Sequence, residues 1–295
     1  MRYDAYDPLI APARPTAGLQ FLIAGIVLTI LIYYSINYLV WMVIFAMLTS
    51  DQSMAVITTI DQSRTPGSVI INLSVFALLS VSLAISVRAL HQRGLMSLIG
   101  PLPWAIMQFR RVLVGLVLLL AVTMFLPMPN EITPLPNLPF GKWVMFLPLT
   151  IIALLIQTSA EELAFRGYIQ SQLAARFPNP VIWLMVPSVV FGLVHYDPSL
   201  PAQNALIVIL WATLFGMAAA DLTARSGTLG PAIALHFVNN FSAIAIAAPQ
   251  GPFDGLALYT FPFSLASTDA LTTWAPVDLL ILLCCWLTAR LALRR

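Results

Sequence analysis

Three charged residues stand at the end of a long apolar run. Ser159-Ala160-Glu161-Glu162-Leu163-Ala164-Phe165-Arg166-Gly167 closes a segment that opens at Trp143. Charge in such a setting is costly unless it is paired or wetted. On a helix Glu162 and Arg166, four residues apart, share a face and neutralise each other. Glu161 lies about 100° round from Glu162 and has no such partner. The chain holds three histidines, and two of them fall within or at the ends of apolar segments. His195 follows Phe191-Gly192-Leu193-Val194, and His236 opens His236-Phe237-Val238-Asn239-Asn240. Asn240 is one turn from His236 on the same face, as Phe191 is from His195. A glutamate, two histidines and an asparagine in a low-dielectric, partly wetted cavity suit hydrolysis. The carboxylate serves as general base toward a water, with a histidine sharing the proton or holding the water. A second histidine and an amide donate to the developing oxyanion. That is peptide-bond hydrolysis without a covalent intermediate. The same residue types also suit a zinc ion held by Glu161, His195 and His236, although the His-Glu-x-x-His helix of the common zinc proteases is absent.

These residues need elements to carry them, and the composition says which. Of the 295 residues 60% are hydrophobic and 9% charged, with a mean hydropathy of +0.90. That is far outside the range of a soluble domain. The expected fold class is all-α, a polytopic membrane helix bundle of about eight transmembrane helices forming a single integral membrane domain over 1–295. Uncharged runs of spanning or near-spanning length occur at 18–47, 67–87, 112–128, 143–160, 181–195, 203–220, 229–248 and 276–289. The start, Met1 to Pro15, lacks the pattern of a cleaved signal peptide. A net charge of +2 with no basic cluster gives no reason to expect a nucleic-acid partner. Cys284 and Cys285 are adjacent in an apolar run, poor geometry for a structural disulfide or a zinc site, and read as packing residues.

Alternating eight helices from a cytoplasmic N-terminus puts all but two of the 14 Lys and Arg residues on the inside, from Arg2 and Arg14 to Arg290, Arg294 and Arg295. Only Arg64 and Lys142 fall outside. Both termini are therefore expected in the cytoplasm, in a plasma membrane rather than an organelle membrane. The basic connection Arg88 to Arg111 is expected inside, with Leu95, Met96, Leu98 and Ile99 on the membrane surface. If the helix carrying Glu161 runs on to Phe177 and breaks at Pro178-Asn179-Pro180, it descends about 24 Å. The next helix climbs about 21 Å from Val181 to His195, so Glu161 and His195 finish at similar height.

Glu-Glu-x-x-x-Arg (Glu161, Glu162, Arg166), Phe-x-x-x-His (Phe191, His195) and His-x-x-x-Asn (His236, Asn240), in this order on successive apolar segments, resemble the CPBP family of intramembrane proteases. That family takes in the type II CAAX prenyl endopeptidases and bacterial proteins linked to bacteriocin processing and self-immunity. The resemblance covers a catalytic core of about 144–247. It implies an eight-helix bundle with a cavity open towards the cytoplasm. It further implies that Glu161 and His195 activate the water, that His236 and Asn240 support the oxyanion, and that Glu162 and Arg166 form a structural pair. No cofactor is required in the favoured reading; zinc is the alternative. The expected partners are the lipid bilayer and a peptide or membrane-protein substrate, whose C-terminus a CAAX-type activity would require to be lipidated.

Plainer readings stand beside this one. The polar residues also suit a non-catalytic membrane scaffold or a small-solute or proton-coupled transporter, although no repeated half is visible. Asp197 reads as a loop residue, and Asp221 with Arg225 as a pair at a helix end. Trp41, Trp143 and Trp183 read as interfacial anchors. Gly192, Gly216 and Gly230 read as close-packing or turn residues.

Overall fold

The computed structural model describes residues 3–123, 125 and 133–294. Arg2 and Arg295 of the charge tally, and most of the far end of the third apolar run, lie outside the described residues. Among the described residues, after short helical turns over Asp4–Tyr6, Asp7–Ile10 and Ala11–Thr16, each of the eight apolar segments lies on a helix and one further long helix joins the first two. They are α1 Leu19–Ala46, α2 Ser50–Gln62, α3 Pro66–His91, α4 Leu102–Thr123, α5 Phe140–Arg176, α6 Pro180–Leu193, α7 Ala202–Ser226, α8 Gly230–Ile246 and α9 Thr268–Leu293. Six of them (α1, α3, α4, α5, α7 and α9) are long and apolar enough to cross a membrane, while α6 and α8 are shorter apolar helices. The 14 residues of α6 rise about 21 Å, short of a hydrocarbon core of about 30 Å. The result is a polytopic helical bundle of an integral membrane protein.

The ends of these helices follow from local chemistry. Thr65 and Ser68 form a capping box with Pro66 in the first turn of α3. The Asn179 side chain accepts from Val181 N with Pro180 opening α6. Gly227, at φ 73°, closes α7, and a Cβ there would meet Ala5 O at 2.0 Å, so only glycine fits. The unforeseen α2 carries its own capping box, Thr49 with Gln52, and has no buried residue.

Two ends of the bundle are tied separately. At one, β1 (Leu135–Pro136), β2 (Ala247–Ala248) and β3 (Tyr259–Thr260) form a small sheet in the order β1-β3-β2. Leu135 pairs antiparallel with Thr260, and Ala247 pairs parallel with Tyr259. Trp143, expected as an interfacial anchor, donates its indole N–H to Ala245 O at 2.7 Å and stitches α5 to α8 there. At the other end Asp221 gathers three elements: Tyr3 Oη donates to it at 2.8 Å, Arg225 Nε at 2.8 Å and Trp286 Nε1 at 3.0 Å. The chain thus starts and finishes its crossings at the same end.

The N-terminal helical turns are part of the core. Tyr6, Leu9 and Ala13 are fully buried, and Tyr3 and Tyr6 pack on Trp183 at 5.2 and 5.4 Å between ring centroids. Trp183 is therefore an interior residue and not an interfacial anchor. The connection after α3 departs from expectation in the same way. Leu98 is fully buried, Leu95 and Ile99 pack against the same core, and Arg93 is buried; Met96 stays exposed. Burial pushes the Arg93 guanidinium down to about 10.

Candidate active site

The site forms in the middle of α5. This 37-residue helix is α-helical to Glu162, π-helical over Leu163–Gln170, and α-helical again to Arg176. A second π-helical stretch, Phe241–Ile246, starts immediately after Asn240 in α8. Such wide turns are rare and recur at functional positions. Here each one begins just beyond a pair of the polar residues singled out above.

Glu162 and Arg166 make the expected pair, with Nη1 3.1 Å from Oε1 and both side chains almost wholly excluded from solvent. The same oxygen takes His236 Nδ1 at 2.8 Å. A carboxylate oxygen only accepts, so Nδ1 carries the proton. The opposite nitrogen, Nε2, faces Glu161 Oε2 at 3.6 Å. Glu161 is held from its other side: Gln157 Nε2 donates to Oε1 at 2.7 Å, and Gln157 Oε1 accepts from Asn240 Nδ2 at 2.9 Å. Asn239 in turn donates to Asn240 Oδ1 at 3.1 Å. One continuous polar chain therefore runs from Asn240 through Gln157, Glu161, His236 and Glu162 to Arg166, and it joins α5 to α8. Glu161 Oε2, Glu162 Oε2 and Arg166 Nη2 are buried with no hydrogen-bond partner in it.

His195 stands apart from that chain. It lies two residues beyond α6, exposed, with its N–H on Gly192 O. Its Nδ1 donates to Phe191 O at 2.7 Å, which leaves Nε2 as the lone-pair nitrogen of the neutral ring. Phe191 is the link: its ring centroid is 4.7 Å from that of His195 and 5.9 Å from that of His236, and the Arg166 guanidinium sits 4.4 Å above it. Among the described residues no hydrogen bond or ion pair joins His195 to Glu161. Glycines set this geometry. A Cβ on Gly192 would meet Thr213 Oγ1 at 2.1 Å and Ile209 O at 2.6 Å, so α6 approaches α7 closely behind Phe191. A Cβ on Gly216 would lie 3.2 Å from Arg166 Nη2.

The structure thus brings Glu161, Glu162, Arg166, His236 and Asn240 together and sets His195 behind Phe191. Among the described residues, no three His, Cys, Asp or Glu side chains gather as a metal-binding group. The set Glu161, His195 and His236 does not converge on one point, and no step below is routed through a metal. Gln157 was overlooked, although its position four residues before Glu161 puts it on the same face. The third histidine, His91, belongs elsewhere, buried against Tyr168 Oη at 2.8 Å and Gln172 Nε2 at 2.9 Å. Asp197 is a loop residue, as expected: hydrogen bonds from the Ser199 hydroxyl and backbone hold its carboxyl below the usual range.

Comparison with known proteins picks out the same region. Residues 143–242 match the family described as type II CAAX prenyl endopeptidase Rce1-like. The matched stretch runs from α5 to just past Asn240 and contains every residue of the polar chain, so this part of the molecule is similar to that family, in keeping with its motifs. The uncharacterized protein YyaK of Bacillus subtilis (strain 168) is 26% identical over 122 residues, 41% of this chain and 41% of that protein. No solved structure matches.

Proposed function

We propose that the protein is an intramembrane endopeptidase that hydrolyses a peptide bond with a water activated by Glu161. The observation that carries this is the buried, partnerless Glu161 Oε2, aimed at His236 Nε2 while Oε1 is fixed by Gln157. A carboxylate locked by one oxygen and open at the other is oriented as a general base. Oε2 takes a proton from water as the water oxygen attacks the scissile carbonyl carbon. The tetrahedral intermediate then collapses, the C–N bond breaks, and the proton on Glu161 passes to the leaving amine. His195 Nε2 takes the water's second hydrogen after the ring moves from behind Phe191 toward Glu161. His236 supports the oxyanion as the imidazolium, donating from Nε2 while Nδ1–H stays on Glu162, and Asn240 does so by exchanging Gln157 for the developing charge. Glu162 and Arg166 orient His236 and neutralise each other. The reading needs no metal. Its substrate is a peptide or membrane protein reaching the site from the bilayer or the cytoplasm, in an orientation with both termini cytoplasmic.

The test compares new protein termini in membranes from cells carrying the wild type and from cells carrying Glu161→Gln at matched expression. Termini that vanish in the nearly isosteric variant are the expected result, and they would name the substrate. Full retention of those termini would refute the base assignment. No difference between either strain and an empty one would favour a transporter or scaffold.

A further inference from the structure

At the sheet-bearing end of the bundle, away from Glu161, α1, α2 and α3 border an open cavity of about 650 Å³. None of its lining residues belongs to the polar chain described above. Its walls are aromatic: Tyr33, Tyr38, Trp41 and Phe45 from α1, Phe76 from α3, and Phe253 from the connection between β2 and β3. Tyr38, Trp41 and Phe45 fall at i, i+3 and i+7, one stripe of α1. Asp61 of α2 is the one charged side chain among the described residues lining it. No hydrogen bond or ion pair engages its carboxylate among the described residues. Two neutral polar groups of the wall are bonded to each other: Asn72 Nδ2 donates to Ser63 Oγ at 2.6 Å and also to Ile60 O at 2.8 Å. Ser63 and Phe253 both have positive φ, 51° and 71°, a conformation that a bulky residue such as Phe253 rarely adopts. Two of the chain's unusual backbone positions therefore shape this one cavity.

We infer that the cavity is a binding site for a quaternary ammonium group. Asp61, exposed at the mouth, gives the cavity one negative charge and disfavours an anion. A primary ammonium is strongly hydrated and gives up more water to enter an aromatic wall. A quaternary ammonium has no donor to satisfy, pairs with Asp61 by charge, and is attracted to the faces of surrounding aromatic rings.

The experiment titrates the purified full chain in a maltoside detergent with choline and with 3,3-dimethylbutan-1-ol, its uncharged carbon isostere, read by tryptophan fluorescence and calorimetry. Choline should bind at least tenfold more tightly than the isostere. Asp61→Asn and Trp41→Leu should each weaken choline at least fivefold. Glu161→Gln should bind choline as the wild type does, which separates this site from the proteolytic reading. Equal binding of the two probes, no binding of choline, or an Asp61→Asn variant that binds choline unchanged would overturn the inference.

Discussion

Gln157→Met tests whether the polar chain between α5 and α8 works as a unit. Gln157 is 6% exposed and makes two hydrogen bonds there, one to the carboxylate of Glu161 and one from the amide of Asn240. Methionine has a similar length and packs irregular space well, so little cavity cost is expected. The bond to a charged group is worth about 1.5–3 kcal/mol and the neutral one about 0.5–1.5 kcal/mol. The variant should therefore lose about 2–4 kcal/mol of stability. Glu161 also loses the donor that fixes Oε1, so its free oxygen no longer points in one direction. With Gln157 as a positioning residue, kcat should fall about 10–100-fold while KM stays near the wild-type value. Denaturation in detergent gives the first number, and cleavage of a substrate found by terminus mapping gives the second. Asn240→Leu in the same background should cost less than the sum of the single changes, by about 0.5–3 kcal/mol, because the two residues share a bond. A Gln157→Met protein with wild-type kcat would refute the argument that Glu161 is oriented through its amide neighbour.

Two further outcomes follow from buried and half-buried charge. Arg166→Met should destabilise by about 3–5 kcal/mol, because it leaves Glu162 buried beside His236 without its cation, and adding Glu162→Gln should recover part of that loss; denaturation of both variants checks it. Burial first, and then the hydrogen bond to Asp221, push the Tyr3 phenol up to about 12, so its contribution is whole below pH 10 and is lost as pH rises through 12. Allowing for its partial exposure, the advantage of the wild type over Tyr3→Phe should shrink by about 1 kcal/mol across that window, measured by denaturation at each pH.

What the sequence disclosed was largely local. Among the described residues, apolar runs located all six helices long enough to cross a membrane, and two further runs form the shorter α6 and α8 rather than full spans. The i,i+4 spacing of Glu162 with Arg166 and of Asp221 with Arg225 anticipated both ion pairs. The break at Pro178-Asn179-Pro180 fell where α5 ends and α6 begins. Contacts between distant segments were less accessible. Nothing in the order of residues says that His236 turns its Nδ1 to Glu162 or that Phe191 separates the two histidines. Tyr3 and Tyr6 could not be read as covers for Trp183, since an interior tryptophan and an interfacial one have the same apolar neighbours in sequence. Likewise Arg93 and Leu98 looked like a basic surface loop until the packing of the connection on the bundle was seen. The site was half legible: its members were named from type and spacing, while Gln157, the joint between two of them, was passed over.

The π-helical stretch in α5 makes residue count a functional quantity. Above it the helix aims Glu161 and Glu162 at α8; its last residue, Gln170, is aimed at Ala220 O, and below it Gln172 is aimed at His91. Each residue turns a helix by about 100°. Deleting one residue between Leu163 and Gln170 would swing the lower half away from both partners while leaving every side chain chemically unchanged. The two halves of α5 are therefore phased like parts of a gear train. Substitution can tune the site, but a change of length by one residue would disengage it.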